Sequence, residues 1–265
     1  MFFRARPPRV ATPAPVRAAV LPLALPDGRV VEVRRVDNAR VRGLRLAVTE
    51  RGVRVTAPPR ASDRRVRAFV EEHAAWLAGQ VHHTFGEVQP LRVGESSTLP
   101  LRGVDVPLQW IDGRFLRVQA GDGGIAVTLP SAASDASVRK AIGDFYLAEA
   151  RADVGRWLPT YLPSLPRAPA SIQIRPLTSL WGSLAADDRM RLDLALVLAP
   201  PAAFEYVLVH ELCHLIQANH SAAFWAEVEQ RFPDWKAQRD LLRARGRPIK
   251  AALRVIRDAS ALPAG

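Results

Sequence analysis

The sequence predicts an α+β fold, in which a β-rich amino-terminal half precedes a helical half that contains a small sheet. Two patterns predict this fold. Short runs of alternating apolar and polar residues dominate the first 130 positions, as half-buried strands require. Beyond them, apolar residues recur at spacings of three and four over longer stretches, which is the period of an amphipathic helix.

The amino-terminal half predicts strands, then one helix, then further short strands. Alternating segments lie at 29–35, 43–48 and 53–57. Ser62 is suited to cap a helix, because its hydroxyl can accept a hydrogen bond from a free backbone N–H and an apolar helical face follows it. Residues 91–129 are punctuated by glycines, which predicts a second group of short strands.

The second half predicts a long helix at about 134–158, a proline-rich connection, and strands at 171–175 and 190–194. An apolar stripe from Phe204 to Leu215 then predicts a helix. Two further helices are expected, one after Ser221 and a last packing helix near Trp235, Leu241 and Leu242.

The helix beginning near Phe204 carries the segment HELCHLIQANH, residues 210–220. His210 and His214 are four residues apart, so both imidazoles lie on nearly one face of a helix and can converge on a metal ion. Glu211 stands beside the first histidine, as in the H-E-x-x-H arrangement of zinc hydrolases. Three of the six histidines of the chain fall within these eleven residues, and a buried helix needs a reason to hold them.

A catalytic zinc ion takes three protein ligands and leaves a fourth position open. His220 is the expected third ligand, with Glu227 as the alternative. The spacing of the histidines matches that of metzincins, but Gln217 replaces the metzincin glycine and no methionine follows the motif, so that class is excluded. Asn219 could end the helix in a left-handed conformation, and Ser221 could cap the next one.

Residues 181–225 resemble the YgjP-like metallopeptidase domain, which is related to the SprT-like and WLM zinc proteases. The resemblance rests on Trp181-Gly182-Ser183, on the LVLAPP segment at 196–201, on the histidine motif and on NHSAAFW at 219–225. It extends over roughly 28–245. It implies zinc ligands at His210, His214 and His220, with Glu211 as the catalytic base. Leu180 and Leu184 depart from the usual arginine and cysteine of the family.

The resemblance implies a zincin-like metallopeptidase domain at 131–245. We expect a β-rich region with one helix at 28–130, a disordered basic tail at 1–27 and a basic carboxy-terminal tail at 246–265. The strand near Met190–Leu194 could bind a peptide substrate by strand addition. Candidate transition-state donors are Tyr206 and the arginines at 175, 189 and 191.

Composition limits the setting and the partners. The net charge is +11, but the cations are nearly all arginines spread along the chain, so nucleic-acid binding is possible and not favoured. The single cysteine, Cys213, excludes an internal disulfide and favours a reducing compartment, which we expect to be the cytoplasm. No apolar run is long enough to span a membrane.

Three functions fit these observations. The motif and the resemblance favour a zinc-dependent metallopeptidase that acts on a peptide or protein. The same chemistry would serve a zinc hydrolase of a small phosphate-containing substrate such as a nucleotide, although no glycine-rich phosphate loop is present. The third possibility is a non-catalytic zinc protein, against which Glu211 argues, since a structural site needs no base.

Overall fold

The computed structural model describes residues 20–258, and these contain six α-helices and three small sheets. The predicted α+β class is confirmed. No helix in this part of the chain is long and apolar enough to cross a membrane. The helices are α1 Asp63–Glu72, α2 Ala74–Phe85, α3 Asp135–Tyr161, α4 Pro201–Cys213, α5 Ala222–Arg231 and α6 Trp235–Arg257. The strands are β1 Val20–Ala24, β2 Val30–Asp37, β3 Arg45–Thr49, β4 Gly52–Ala57, β5 Thr98–Leu101, β6 Val104–Asp112, β7 Arg117–Gly121, β8 Gly124–Leu129, β9 Ser171–Arg175, β10 Gly182–Leu184 and β11 Arg189–Asp193.

Residues 20–48 and 52–81 form the first of two compact units. Its sheet has the order β1-β2-β4-β3. Strand β1 runs antiparallel to β2, and β2 runs parallel to β4. Alternate residues of β2 and β4 are buried, as the sequence pattern predicts. Ser62 caps α1 by accepting from the backbone N–H of Arg65, at 3.3 Å. The single helix predicted after Ser62 is two helices, because α1 ends at His73, whose Nδ1 bonds to the carbonyl of Phe69.

Residues 82–258, with 49–51, form the second unit. It contains a sheet of order β5-β6-β8-β7, a smaller sheet of order β10-β11-β9, and α3 to α6. Its core includes Ile142 and Tyr146 of α3 and a buried 3-10 segment, Leu194–Leu198, whose five side chains are all inside. This segment links the small sheet to α4, so burial of apolar area fixes the start of the motif helix.

Both predicted tails contain regular structure. Residues 20–24 of the expected amino-terminal tail form β1, which pairs with β2, and residues 1–19 lie outside the described part. Residues 246–257 of the expected carboxy-terminal tail continue α6 through Pro248, because Ala251, Leu253 and Ile256 bury an apolar face there. Residues 259–265 lie outside the described part. The domain limits at 28, 130 and 245 remain predictions.

Lys250 joins α6 to the loop before β10. Its ammonium donates to the carbonyls of Leu177 and Leu180, at 3.3 and 2.8 Å, and to the carboxylate of Asp193. These three contacts use the three donors of a lysine. The Asp193 side chain is 2 % exposed and that of Lys250 10 %. Burial raises the pKa of Asp193, and the charge of Lys250 opposes this rise. A buried ion pair of this kind adds little net stability, but it favours one position of α6, because any other position would leave a buried charge without its partner.

Replacement of Lys250 by methionine should reduce the free energy of unfolding by about 3–5 kcal/mol, because it leaves the Asp193 carboxylate buried without a counter-charge. Urea denaturation would measure the change. Lys236→Met is the control, since Lys236 is an exposed lysine of the same helix, and it should change the stability by less than about 0.5 kcal/mol. Equal effects of the two substitutions would contradict the assigned role of Lys250.

Candidate metal centre

Helix α4 is apolar on nearly every side, which explains why it is buried. Phe204, Leu208 and Leu212 are almost fully enclosed, and Pro201 occupies the first helical position, where its missing N–H is not needed. His210 and Glu211 lie in its last turn, and His214 is its C-cap. Cys213 is buried on the same helix, and burial raises the pKa of its thiol to about 11, so it behaves as a small apolar side chain.

The three predicted histidines come together. One ring nitrogen from each of His210, His214 and His220 lies within 4.8 Å of the others, and the Nε2 atoms of His210 and His220 are 3.0 Å apart. Nitrogens at 2.0–2.1 Å from one tetrahedral zinc ion are separated by about 3.3 Å, so the cluster has nearly the size such an ion needs. Burial chiefly, and then the charges of His214 and His220, lower the pKa of His210 to about 3.

The surroundings of the histidines suit metal binding. His214 donates from Nδ1 to the carbonyl of Gln217 at 3.1 Å, which leaves Nε2 for a metal. Burial lowers the pKa of His214, which also favours the neutral ligand form. The ring of Phe224 stacks on His214 at 4.5 Å, and Trp225 lies 5.8 Å from His210. These aromatic contacts restrict the orientations of the imidazoles.

The loop that carries His220 differs in one detail from its prediction. Among the described residues other than glycine, only Arg102 and Asp188 have a left-handed backbone, so Asn219 does not end the helix in that conformation. Instead, the Asn219 side chain accepts from the N–H of Ser221 at 3.2 Å. Ser221 caps α5 as predicted, accepting from the N–H of Phe224.

The alternative ligand, Glu227, lies outside the histidine cluster. Its carboxylate accepts from Arg231 at 2.5 Å, one turn further along α5.

Glu211 is held against the edge strand β10. A methyl group added at Gly182 would lie 2.6 Å from the Glu211 carboxylate oxygen, so only glycine permits this approach. The side chain is 6 % exposed. Burial raises the pKa of Glu211 to about 8, and a hydrogen bond from the backbone of Leu184 opposes the rise. The glycine of the W-G-S element therefore has a physical role beside the carboxylate.

A cavity of about 920 Å³ opens in front of the histidines and Glu211. Of the predicted transition-state donors, Tyr206 lines it, whereas the arginines at 175, 189 and 191 do not. Burial raises the pKa of Tyr206 to about 12, so its hydroxyl keeps its proton at neutral pH. Sequence reasoning missed Arg239 and Arg243 of α6, which also line the cavity, because they lie 19 and 23 residues beyond His220, in a separate helix.

Comparison with known protein families identifies the family of this chain. The YgjP-like, metallopeptidase domain matches residues 42–245. The chain belongs to the YgjP-like family. The predicted resemblance is confirmed, and membership makes the chain a metal-dependent peptidase at the level of the family.

The chain is also similar to a solved metallopeptidase structure. The crystal structure of the metallopeptidase zymogen of Pyrococcus abyssi abylysin is 28% identical over 38% of this chain and 90% of that chain, with a TM-score of 0.27. No protein with a curated description matches this YgjP-like chain.

Substitution of Gly182 by alanine should displace the Glu211 carboxylate while leaving the three histidines in place. Because errors of about 1 Å can cost on the order of 100-fold, we expect a loss of that size in kcat with unchanged metal content. Gly155→Ala is the matched control, since a methyl group there meets nothing within 4 Å. Retention of full kcat by the Gly182 variant would contradict the close approach.

The raised pKa of Glu211 also predicts how the stability of the metal-free protein depends on pH. The folded state binds this proton more tightly than the unfolded chain, whose glutamate has a pKa of 4.5. The stability that the folded protein gains from holding this proton on Glu211 is therefore complete below pH 4.5 and is lost as the pH rises towards 8. Urea denaturation of the native and Glu211→Gln proteins, both kept metal-free with a chelator, gives their free energies of unfolding from pH 4 to 8. The difference between these two free energies should change with pH. Parallel curves would refute the assigned pKa.

Proposed function

We propose that this chain is a zinc-dependent peptidase, in which His210, His214 and His220 bind the metal and Glu211 is the general base. The observation that carries the proposal is the convergence of three imidazoles beside a buried carboxylate at the wall of an open cavity. Imidazole suits zinc, and three protein ligands with an accessible fourth position are typical of catalytic rather than structural zinc sites.

The protein residues have distinct tasks in this proposal. Bound zinc would supply a Lewis acid that polarises the scissile carbonyl and acidifies water. Glu211 accepts the proton of the attacking water and donates it to the leaving amine. A cation beside Glu211 favours its carboxylate form, which reverses the effect of burial on its pKa. Tyr206 lines the cavity as a protonated donor for the developing negative charge.

The position of the small sheet changes the expected place of the substrate. Strand β11, which includes Met190, lies between β9 and β10 and has no free edge to offer. The two edge strands are β9 and β10, and of these β10 has residues that line the cavity beside Glu211. We therefore place an extended peptide along β10, where backbone hydrogen bonds can hold it independently of its side chains.

Two substitutions test the proposal separately. Glu211→Gln keeps the shape of the side chain and removes the base, so the variant should retain about one zinc per chain and lose peptidase activity by about 10²–10⁴-fold. His220→Ala should lose most of the zinc. Elemental analysis and hydrolysis of quenched fluorescent peptides would measure both.

His83→Ala is the control for these variants, because His83 is an exposed histidine of α2, far from the motif in sequence, and its loss should change neither quantity. Full activity in Glu211→Gln would exclude Glu211 as the base. Full zinc content in His220→Ala would exclude the three-histidine site.

A further inference from the structure

Three arginines line the cavity that contains the histidines, and they differ in what they contact. Arg167 donates to both carboxylate oxygens of Asp188, at 2.6 and 2.9 Å, and to the carbonyl of Leu215. Arg239 and Arg243 lie one helical turn apart on α6, so they project from the same side of that helix. Only Arg167 is satisfied by strong protein contacts.

Aromatic rings hold Arg239 in place. Its guanidinium carbon lies 4.8 Å from the ring centre of Trp235 and 5.8 Å from that of Trp225. The two indoles stack on each other at 4.3 Å with an angle of 18°. The Nε atom of Arg239 is buried and makes no hydrogen bond within the described part of the chain. A guanidinium that is fixed by stacking, with its donors not committed, is preorganised for a planar anion.

One exposed carboxylate, that of Asp240, forms long ion pairs with both Arg239 and Arg243. Asp240 Oδ1 is 3.6 Å from Arg239 Nε and 4.0 Å from an Nη1 of Arg243, both longer than a good charged hydrogen bond, and its side chain is 65 % exposed. The carboxylates that line the cavity are Asp188, which Arg167 binds, and Glu211. Two arginines against the exposed Asp240 leave this part of the wall formed by α6 with a net positive charge, which attracts an incoming carboxylate.

This wall is close to the reaction centre. The Trp225 ring lies 5.8 Å from the Arg239 guanidinium and 5.7 Å from the His220 ring. Together these distances limit the separation of Arg239 from the ligand cluster to about three residues of extended chain.

We propose that Arg239, assisted by Arg243, binds a carboxylate of the substrate within about three residues of the scissile bond, so that the enzyme prefers peptides that are acidic there. The inference rests on the proposed peptidase function and specifies its substrate class. The carboxylate can belong to an Asp or Glu side chain or to the carboxy terminus of the peptide, since the bidentate chemistry is the same.

The test uses the zinc-loaded protein and pairs of peptides that differ only in Glu or Gln at each of the three positions on either side of the cleavage site. Native protein should cleave the best Glu peptide with kcat/KM about ten-fold above its Gln partner, mainly through KM. Arg239→Gln should abolish this ratio, and because the ratio is taken within each variant, any change that affects both peptides equally cancels. Arg239→Lys should restore only part of it, because lysine lacks the planar fork.

Arg151→Gln is the matched control, since Arg151 is an exposed arginine of α3 outside the cavity, and it should keep the full ratio. A second set compares each peptide with its carboxy-terminal amide and so separates the two sources of the carboxylate. The preference should weaken as salt is raised, because both arginines are partly exposed.

A binding measurement keeps this inference distinct from the peptidase proposal. Glu211→Gln and Glu211→Gln/Arg239→Gln proteins are titrated with the same peptides, with the intrinsic tryptophan fluorescence of the protein as the signal, to which Trp225 and Trp235 contribute. Carboxylate-dependent binding that the double variant loses supports the subsite, even if native protein cleaves no peptide and the peptidase function fails. Equal binding and equal cleavage of the paired peptides by native protein would overturn the subsite, and the observed cleavage would leave the peptidase function intact.

Discussion

The contact between the Glu211 carboxylate and the backbone of Gly182 is the constraint on which the rest of the site depends. It requires α4 and β10 to approach more closely than any other residue at 182 would allow. The same segment is fixed from its other side, where Trp181 packs against Gly246 and lies 4.5 Å from the Lys250 ammonium. Two helices therefore hold one short strand between them, and the position of the carboxylate follows from how they dock.

Two buried acids flank this strand, and they differ in how their negative charge is compensated. Asp193 receives its counter-charge from Lys250, within the chain, and its hydrogen bonds are complete. Glu211 is buried to a similar degree but has a single backbone donor and faces the cavity. A buried acid without a protein cation is costly, and such groups concentrate at functional sites. The histidine cluster beside it provides a place for the missing positive charge.

What the sequence predicts well is local. The spacing of His210 and His214 defines a helical face, and Ser62 and Ser221 act as caps, because each of these features depends on a few neighbouring residues. What it misses is tertiary. The pairing of β10 at the sheet edge, the break of the helix at His73 and the continuation of α6 beyond Pro248 depend on contacts that no local pattern contains. Arg239 could have been suspected only from its position four residues after Trp235, one helical turn further on.

The order of these elements along the chain has a consequence for synthesis. The histidines and Glu211 leave the ribosome before α6, and Lys250 follows Asp193 by 57 residues. Contacts over such separations form late, and a domain matures only when its last packing element is available. The side of the cavity that α6 provides is therefore the last to form. Under the proposed function, a growing polypeptide would carry its ligand residues for some time before it could cut a neighbour, so the topology itself delays activity until the domain is whole.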